Sequence, residues 1–392
     1  MVNGWKAKKL GEVAEVCMCK RIFAHQTSKI GNIPFYKIGT FGKEADAYIS
    51  SQLYEEYKAK YSYPEKGDVL ISAAGTLGRT VVFDGRPAYF QDSNIVWLKI
   101  DKSQLCNDYL AHYYKVIKWA SSEGSTISRL YNGIICDTEI LLPPLEEQTA
   151  IAEALSDIDS LIFSMQKLIE KKKAIKQGAL QELLTGKKRL PGFSVKWSYK
   201  SLGILGDLSR EVINPQSLSE TSFYEYSMPA YDNGRQPEQT SGKSMHSSRL
   251  KIYGEIILFN KLNVRQRRVW HVKECLENAV CSSEFLPYHS LEVHSEFLYQ
   301  VLLCDKTTVD FENMSTGTSN SQKRITPSDF LEYEIALPEK DEQEAIAQVL
   351  SDMDSEIEQL EKKLAKYQQI KQGMMQELLT GRIRLKEGEN NA

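Results

Sequence analysis

Residues 249–273, RLKIYGEIILFNKLNVRQRRVWHVK, carry Arg249, Lys251, Lys261, Arg265, Arg267, Arg268 and Lys273 against a single carboxylate, Glu255. Asn260, Asn263, Gln266 and Trp270 lie among them. Guanidinium and ammonium groups neutralise phosphate, amides match the edges of bases, and aromatic rings stack on them. The stretch has the composition of a nucleic-acid reading element, with Lys261, Asn263, Arg265, Arg267 and Arg268 as candidate contacts; a solvated strand hairpin would look similar. Lys6, Lys8, Lys9, Lys20, Arg21, Lys29 and Lys37 form a looser basic group nearer the start, and Gln91-Asp92-Ser93-Asn94 follows two aromatics as a second polar loop, with Gln91 and Asn94 as candidates.

No other stretch offers chemistry of its own. GTLGRT at 75–80 lacks the spacing and the Lys-Ser/Thr of a phosphate loop. Asn214-Pro215-Gln216-Ser217 begins like the Asn-Pro-Pro-aromatic loop of amino-methyltransferases but lacks its second proline and its aromatic. Seven cysteines without a CxxC pair suggest reduced thiols in a cytoplasmic protein, and the six histidines show no HxxxH or HExxH arrangement. A net charge of −3 argues against nonspecific coating of nucleic acid. No run of about 18 apolar residues and no secretory signal is present, so no membrane contact is expected. Binding, without metal or cofactor, is what remains.

The elements that position these residues are announced by a repeat. EEQTAIAEALSDIDS at 146–160 returns as DEQEAIAQVLSDMDS at 341–355, and IKQGALQELLTG at 175–186 as IKQGMMQELLTG at 370–381; 341 − 146 and 370 − 175 both give 195. Such rigid spacing suits a continuous helix, in which an insertion would rotate everything downstream by about 100°. Leu142-Pro143-Pro144 and Leu337-Pro338 precede the copies, acids follow, and Gly186 and Gly381 supply left-handed caps. Ile151, Leu155, Ile158, Ile162, Met165 and Ile169 in the first copy, and Ile346, Leu350, Met353, Ile357, Leu360, Leu364 and Tyr367 in the second, recur at alternating steps of four and three, the seam of a coiled coil. Lys172 and Lys176 break the first seam, which is expected to shift to Ile175, Ala179, Leu183 and Leu184; Gly178 and Gly373 suggest a close helix crossing. Two helices that each cap their own domain are the plainer alternative.

The chain thus divides into residues 1–142, a helix at 143–190, residues 191–337, and a second helix with its tail at 338–392. Antiparallel packing of the helices would give a rod with a globular domain at each end and an approximate two-fold axis. Trp5 to Gly11 is echoed by Trp197 to Gly203, and Gly67-Asp68-Val69-Leu70-Ile71 by Gly254-Glu255-Ile256-Ile257-Leu258, so the α+β framework repeats while the exposed chemistry does not.

Two divergent domains alternating with near-identical helices, the LPPLEEQ and LPEKDEQ helix starts and the QELLTG endings resemble the specificity subunit of type I restriction-modification systems over essentially the whole chain. NKLNVRQRRVW at 260–270 with AVCSSEF at 279–285 is similar to one recurrent type of target recognition domain in that family, and KGDVLIS at 66–72 to another. Where such a first domain often has an arginine before its Gly-Thr-x-Gly turn, Ala73-Ala74 stand here; either Arg79 takes over phosphate contact or the register differs. The resemblance implies a subunit with no active site, whose two domains each read one half of a split, asymmetric site in double-stranded DNA. It implies two methyltransferase subunits, bringing S-adenosylmethionine, and restriction subunits, with ATP and magnesium, as partners; the helices would be ruler and docking surface. A coiled-coil adaptor presenting two protein-binding domains is the alternative.

Overall fold

Leu145–Leu183 and Lys340–Leu378 are each one unbroken helix of 39 residues, about 58 Å at about 1.5 Å per residue. Both start the same way. Gln148 is fully buried, donates Nε2 to the Pro143 carbonyl at 2.9 Å and accepts the Cys106 amide at 3.0 Å; Gln343 repeats this with Pro338 at 2.9 Å and the His294 amide at 2.8 Å. Both end on a left-handed glycine, Gly186 (φ 68°) and Gly381 (φ 72°).

The computed structural model describes residues 4–117, 119, 129–317 and 322–385, and the chain divides into one unit of residues 1–166 with 363–392 and another of 167–362. Each unit holds one half of each long helix. In the first unit Asp159 pairs with Lys371 and Glu147 with Arg384, an antiparallel register. In the second, Asp354 pairs with Lys176 at 2.5 Å and Glu342 with Arg189 at 2.6 Å, the same contacts displaced by the repeat interval. Ile151, Leu155, Ile158, Ile346, Leu350 and Ile357 are buried, and Ile162 and Met353 are partly buried, as the seam requires.

Two expectations about the helices are corrected. The shift of the first seam is met only in part: Ala179, Leu183 and Leu184 pack into the core, but Ile175 is left 47% exposed, and Lys172 and Lys176 keep their seam positions because Glu356 and Asp354 face them at 2.7 and 2.5 Å. Gly178 and Gly373 do not mark a close crossing, since an added Cβ at either would meet nothing within 4 Å.

The first unit contains a four-stranded antiparallel sheet, in the order Ala14–Met18, Ile95–Ile100, Val69–Ser72, Thr80–Val82. Strand alternation divides its side chains. Val69, Ile71, Val96 and Leu98 point to Ile151, Leu155 and Leu378 of the helices and to Leu379 just beyond. Leu70 and Trp97 point the other way, to Phe35, Tyr89 and Phe90 of a three-stranded mixed sheet, Tyr48–Ile49, Ile33–Tyr36 and Tyr89–Phe90. The second unit repeats the plan: Gly206–Leu208, Phe285–Ser290, Ile256–Asn260, Val269–Val272 form its four-stranded sheet, and five strands form the other. There Ile257 and Phe259 meet Ile346, Leu350, Leu180 and Leu183, while Ile256, Leu258 and Trp270 meet Tyr226 and Cys281. Lys6–Lys9 pairs with Glu139–Leu142, and Ser198–Ser201 with Glu334–Leu337, closing each domain onto the root of a helix. The echoed Gly11 and Gly203 are needed there, because a Cβ would lie 2.9 Å from the Cys136 Cβ in one case and 3.2 Å from the Leu331 carbonyl oxygen in the other.

A buried carboxylate joins these parts. Glu342, 2% exposed, takes a two-pronged bond from Arg189 (2.6 and 2.6 Å) and the Trp197 indole N–H at 3.0 Å. Glu147, 7% exposed, takes Arg384 (3.1 and 2.7 Å) and Trp5 at 3.1 Å. In the sequence these are simply two of the acids that follow the prolines at the helix starts, where the positive end of the helix dipole favours them. Glu147→Ala and Glu342→Ala strand an arginine and an indole donor, and each should lower the melting temperature of its unit by on the order of 5–10 °C in calorimetry.

His112 in the first unit is 5% exposed, with Ser156 Oγ at 3.1 Å, and burial pushes its pKa down to about 4. The unfolded chain binds the proton more tightly, so this stability is whole above about pH 6.5 and is lost as pH falls toward 4, by about 3 kcal/mol. Protection factors of the amides at residues 145–160, taken relative to the intrinsic exchange rate at each pH, should fall over that window, and His112→Gln should flatten the dependence.

Candidate nucleic-acid interface

Residues 261–268 join the strands Ile256–Asn260 and Val269–Val272, and residues 73–79 join Val69–Ser72 and Thr80–Val82. The two loops occupy the same place in their sheets. The amide of Asn260 donates to the Arg268 carbonyl at 3.0 Å, and that of Ser72 to the Arg79 carbonyl at 2.8 Å. Lys261 donates to Glu284 at 3.0 Å and Ala73 to Asn94 at 2.8 Å; Ile325 donates to Lys261 at 3.1 Å and Leu130 to Ala73 at 2.9 Å. Each interface is therefore three segments laid side by side: a hairpin loop, the turn before the next sheet strand, and an extended segment carrying Arg129 or Arg324. By this register Arg79 is the counterpart of Arg268 within the chain.

Neither loop is left to solvent disorder. In the second domain Val264 is buried in the core, the Asn263 amide donates to the Lys323 carbonyl at 2.8 Å, and Asn263 and Arg267 adopt left-handed φ of 51° and 48°. Left-handed backbone is costly for side chains other than glycine and persists where surrounding contacts impose it. In the first domain Ser72 Oγ accepts the Arg79 amide at 2.8 Å and donates to the Thr76 carbonyl at 2.5 Å.

The candidate residues fall out as follows. Lys261, Asn263, Arg265, Arg267 and Arg268 all lie on the one hairpin loop, and Arg79, Gln91 and Asn94 all lie on the first domain's loop and adjoining turn. Gln91 is committed to the scaffold, its Oε1 accepting the Ile38 amide at 2.9 Å, and Asn94 holds Ala73 through its carbonyl. Asn260 and Trp270 are buried, 2% and 6% exposed, and are not available to bases: strand alternation turns Trp270 against Tyr226 at 4.8 Å, and Asn260 Oδ1 caps the loop by accepting the Leu262 amide at 3.0 Å. The loose basic group divides. Lys6, Lys8 and Lys9 sit on the strand at the helix root, whereas Arg21 reaches the 91–94 turn through Asp92 at 2.8 Å.

The charge of the second loop is not what the local count implied. Arg268 makes a two-pronged bond to Asp232 (2.9 and 2.7 Å), Arg267 pairs with Asp305 at 2.5 Å, and Arg265 pairs with Glu312. Arg324 makes a two-pronged bond to Glu284 (3.1 and 2.9 Å). Hydrogen bonds from Arg268 and from Arg265 hold the Asp232 and Glu312 carboxyls below their usual range. In the first domain Arg79 donates to the Phe41 carbonyl at 2.8 Å and Arg129 to the Ser93 carbonyl at 3.0 Å. Arg129 and Arg324 were missed in the sequence, although they stand 195 residues apart; carrying the repeat interval back from the helices finds both, with Leu130 over Ile325 and Ile140 over Ile335. Among the described residues no group of three or more His, Cys, Asp or Glu could hold a metal ion, and no helix is long and apolar enough to cross a membrane.

The model of the type I restriction modification DNA specificity domain matches this chain twice, at residues 3–177 and 195–372. A Haemophilus influenzae chain assigned as a type I restriction enzyme specificity subunit is 56% identical over 160 residues, which span 41% of this chain and 42% of that one. A Methanocaldococcus jannaschii chain assigned as the MjaX specificity subunit is 24% identical over 97% of this chain and 94% of its own. The crystal structure of the type I restriction-modification S subunit from M. genitalium shares the fold, with a TM-score of 0.60 at 14% identity over 96% of both chains. With two copies of that domain in one polypeptide, the chain belongs to the type I restriction-modification DNA specificity family.

Proposed function

We propose that this chain is the DNA-reading subunit of a type I restriction-modification complex, in which residues 1–142 and 191–337 each read one half of a bipartite, asymmetric site in double-stranded DNA. The observation that carries this is the duplicated interface: three equivalent segments, held by equivalent backbone bonds, present different side chains in the two domains. Equivalent loop frameworks with different exposed chemistry suit two different half-sites. The repeated helices then have a separate task. Their outer faces offer two equivalent seats to two methyltransferase subunits, which carry S-adenosylmethionine, and through them to restriction subunits that carry ATP and magnesium; the chain itself is non-catalytic and acts in the cytoplasm.

In this reading Lys261, Asn263, Arg265, Arg267 and Arg268 contact the half-site of the second domain, and Arg79 with Arg129, Gln91 and Asn94 forms or supports the contacts of the first. Replacing Arg265, Arg267 and Arg268 by alanine should weaken binding of the target duplex by roughly tenfold to a hundredfold for each guanine deprived of its arginine. Unchanged affinity with unchanged salt dependence would reduce the loop to surface.

The helices set the number of unread base pairs. Deleting one heptad from each, 158–164 and 353–359, keeps the seam in phase and removes about 10 Å, so methylome mapping in cells with the partner subunits should return the same half-sites separated by about three fewer pairs. A continuous motif or a palindrome for the unaltered protein sinks the bipartite reading. Retention of the original spacer by the deletion variant sinks the ruler.

A further inference from the structure

Every arginine described on the second domain's interface already has a carboxylate, and the carboxylates come from three separate elements. Asp232 ends the helix Met228–Asp232, Glu284 lies in the turn before Phe285–Ser290, and Asp305 and Glu312 stand on the helix Asp305–Met314. The last two are seven residues apart, hence on one face. We propose that Asp232, Glu284, Asp305 and Glu312 form a charge mask over the reading loop. They hold Arg268, Arg324, Arg267 and Arg265 in place and keep this domain off DNA that lacks the target, the arginines passing from carboxylate to DNA only where the bases match. The inference rests on the DNA-reading function proposed above.

The geometry fits exchange better than permanent pairing. Seven of the eight side chains are between 25% and 53% exposed, and Arg268 is 21% exposed, so a departing guanidinium leaves its carboxylate wetted rather than buried bare. Two of the four pairs are two-pronged, which fixes the planar group in one orientation. Asp305 is further held by Gln177 and by Gln181, the latter at 3.2 Å, so this acid stays in position when Arg267 leaves it. The first domain makes the contrast. Arg79 and Arg129, at the equivalent places, rest on backbone carbonyls, which orient a guanidinium without neutralising it. Attraction to arbitrary duplex comes from cations that neutralise phosphates and release counterions. An arginine already matched to a carboxylate adds nothing to that attraction until its pair opens, and the acid it uncovers repels the phosphate. Nonspecific attraction is therefore assigned to the first domain, in accord with a chain whose net charge is −3.

The test compares the full chain with Asp232→Asn/Glu284→Gln/Asp305→Asn/Glu312→Gln, and with a control of equal charge change on exposed acids of the same domain, Glu220→Gln/Glu238→Gln/Glu274→Gln/Glu277→Gln. Binding to a duplex of about 30 base pairs without the target is followed by fluorescence anisotropy between about 50 and 200 mM salt. The unmasked chain should bind this duplex about tenfold or more tightly, with a slope of log K on log salt steeper by up to about 0.9 per freed arginine. The control should leave the slope unchanged. Asp232→Asn alone, at an acid that is 53% exposed, should steepen it by up to about one such step. An unchanged slope in both masked-site variants, or an equal gain in the control, overturns the mask while leaving DNA reading intact. Failure of the parent chain to bind its methylome-mapped target duplex overturns both.

Discussion

A buried, fully paired carboxylate at the root of each long helix is the contact on which the rest of the molecule hangs. Glu147 and Glu342 lie in the first turn of their helices, where the dipole favours an anion, yet both are buried. A buried anion is tolerable only when fully paired, and the pairing draws in three distant parts of the chain. An indole from the start of the domain (Trp5, Trp197), an acid from the helix that ends the domain, and an arginine just past the end of the opposite helix (Arg384, Arg189) meet at one point. Each unit is closed by one such knot. Because each knot includes an arginine from beyond the end of the antiparallel helix, helix register and domain closure are a single constraint.

From that constraint the rest follows in order. The helices present Ile151 and Leu155, or Ile346 and Leu350, to one face of a four-stranded sheet, which fixes the rotation of the sheet on the helix. Strand alternation then decides which side chains remain inside. The loop joining an inner strand to the edge strand is carried outward with its backbone held by the same bonds in the two domains. Only the loop side chains are released from this framework, and they are where the two domains differ most in character: arginines capped by carboxylates in one, arginines resting on carbonyls in the other.

The duplication also separates two kinds of position within one chain. Where copies 195 residues apart agree, as at Gln148 and Gln343 or Asp159 and Asp354, both members make the same contact in their own unit. Where they differ, as at Lys172 and Tyr367, the antiparallel partner accommodates the difference, with Glu356 facing the lysine. The echo at Trp5 and Trp197 follows the same logic, since each indole serves its own buried acid.

The sequence by itself determined the long helices, their caps, their seam and the doubling of the framework, and through these the family resemblance. Helical periodicity, proline entry and a left-handed glycine are local properties, legible within a few residues of themselves. Read further back at the same interval, the sequence also contained Arg129 and Arg324. What it did not contain in legible form was the electrostatic state of the interface. Seven cations against Glu255 looked like a bare basic run, whereas folding brings Asp232, Asp305 and Glu312 to Arg268, Arg267 and Arg265 from 36 to 47 residues away. Likewise Trp270, read as an aromatic for stacking, is placed in the core by strand alternation and the second sheet, and Glu147 finds Arg384 across 237 residues. Helices are encoded by neighbours in the chain; the partner of a charge is decided by which surfaces pack together, and that is settled only in three dimensions.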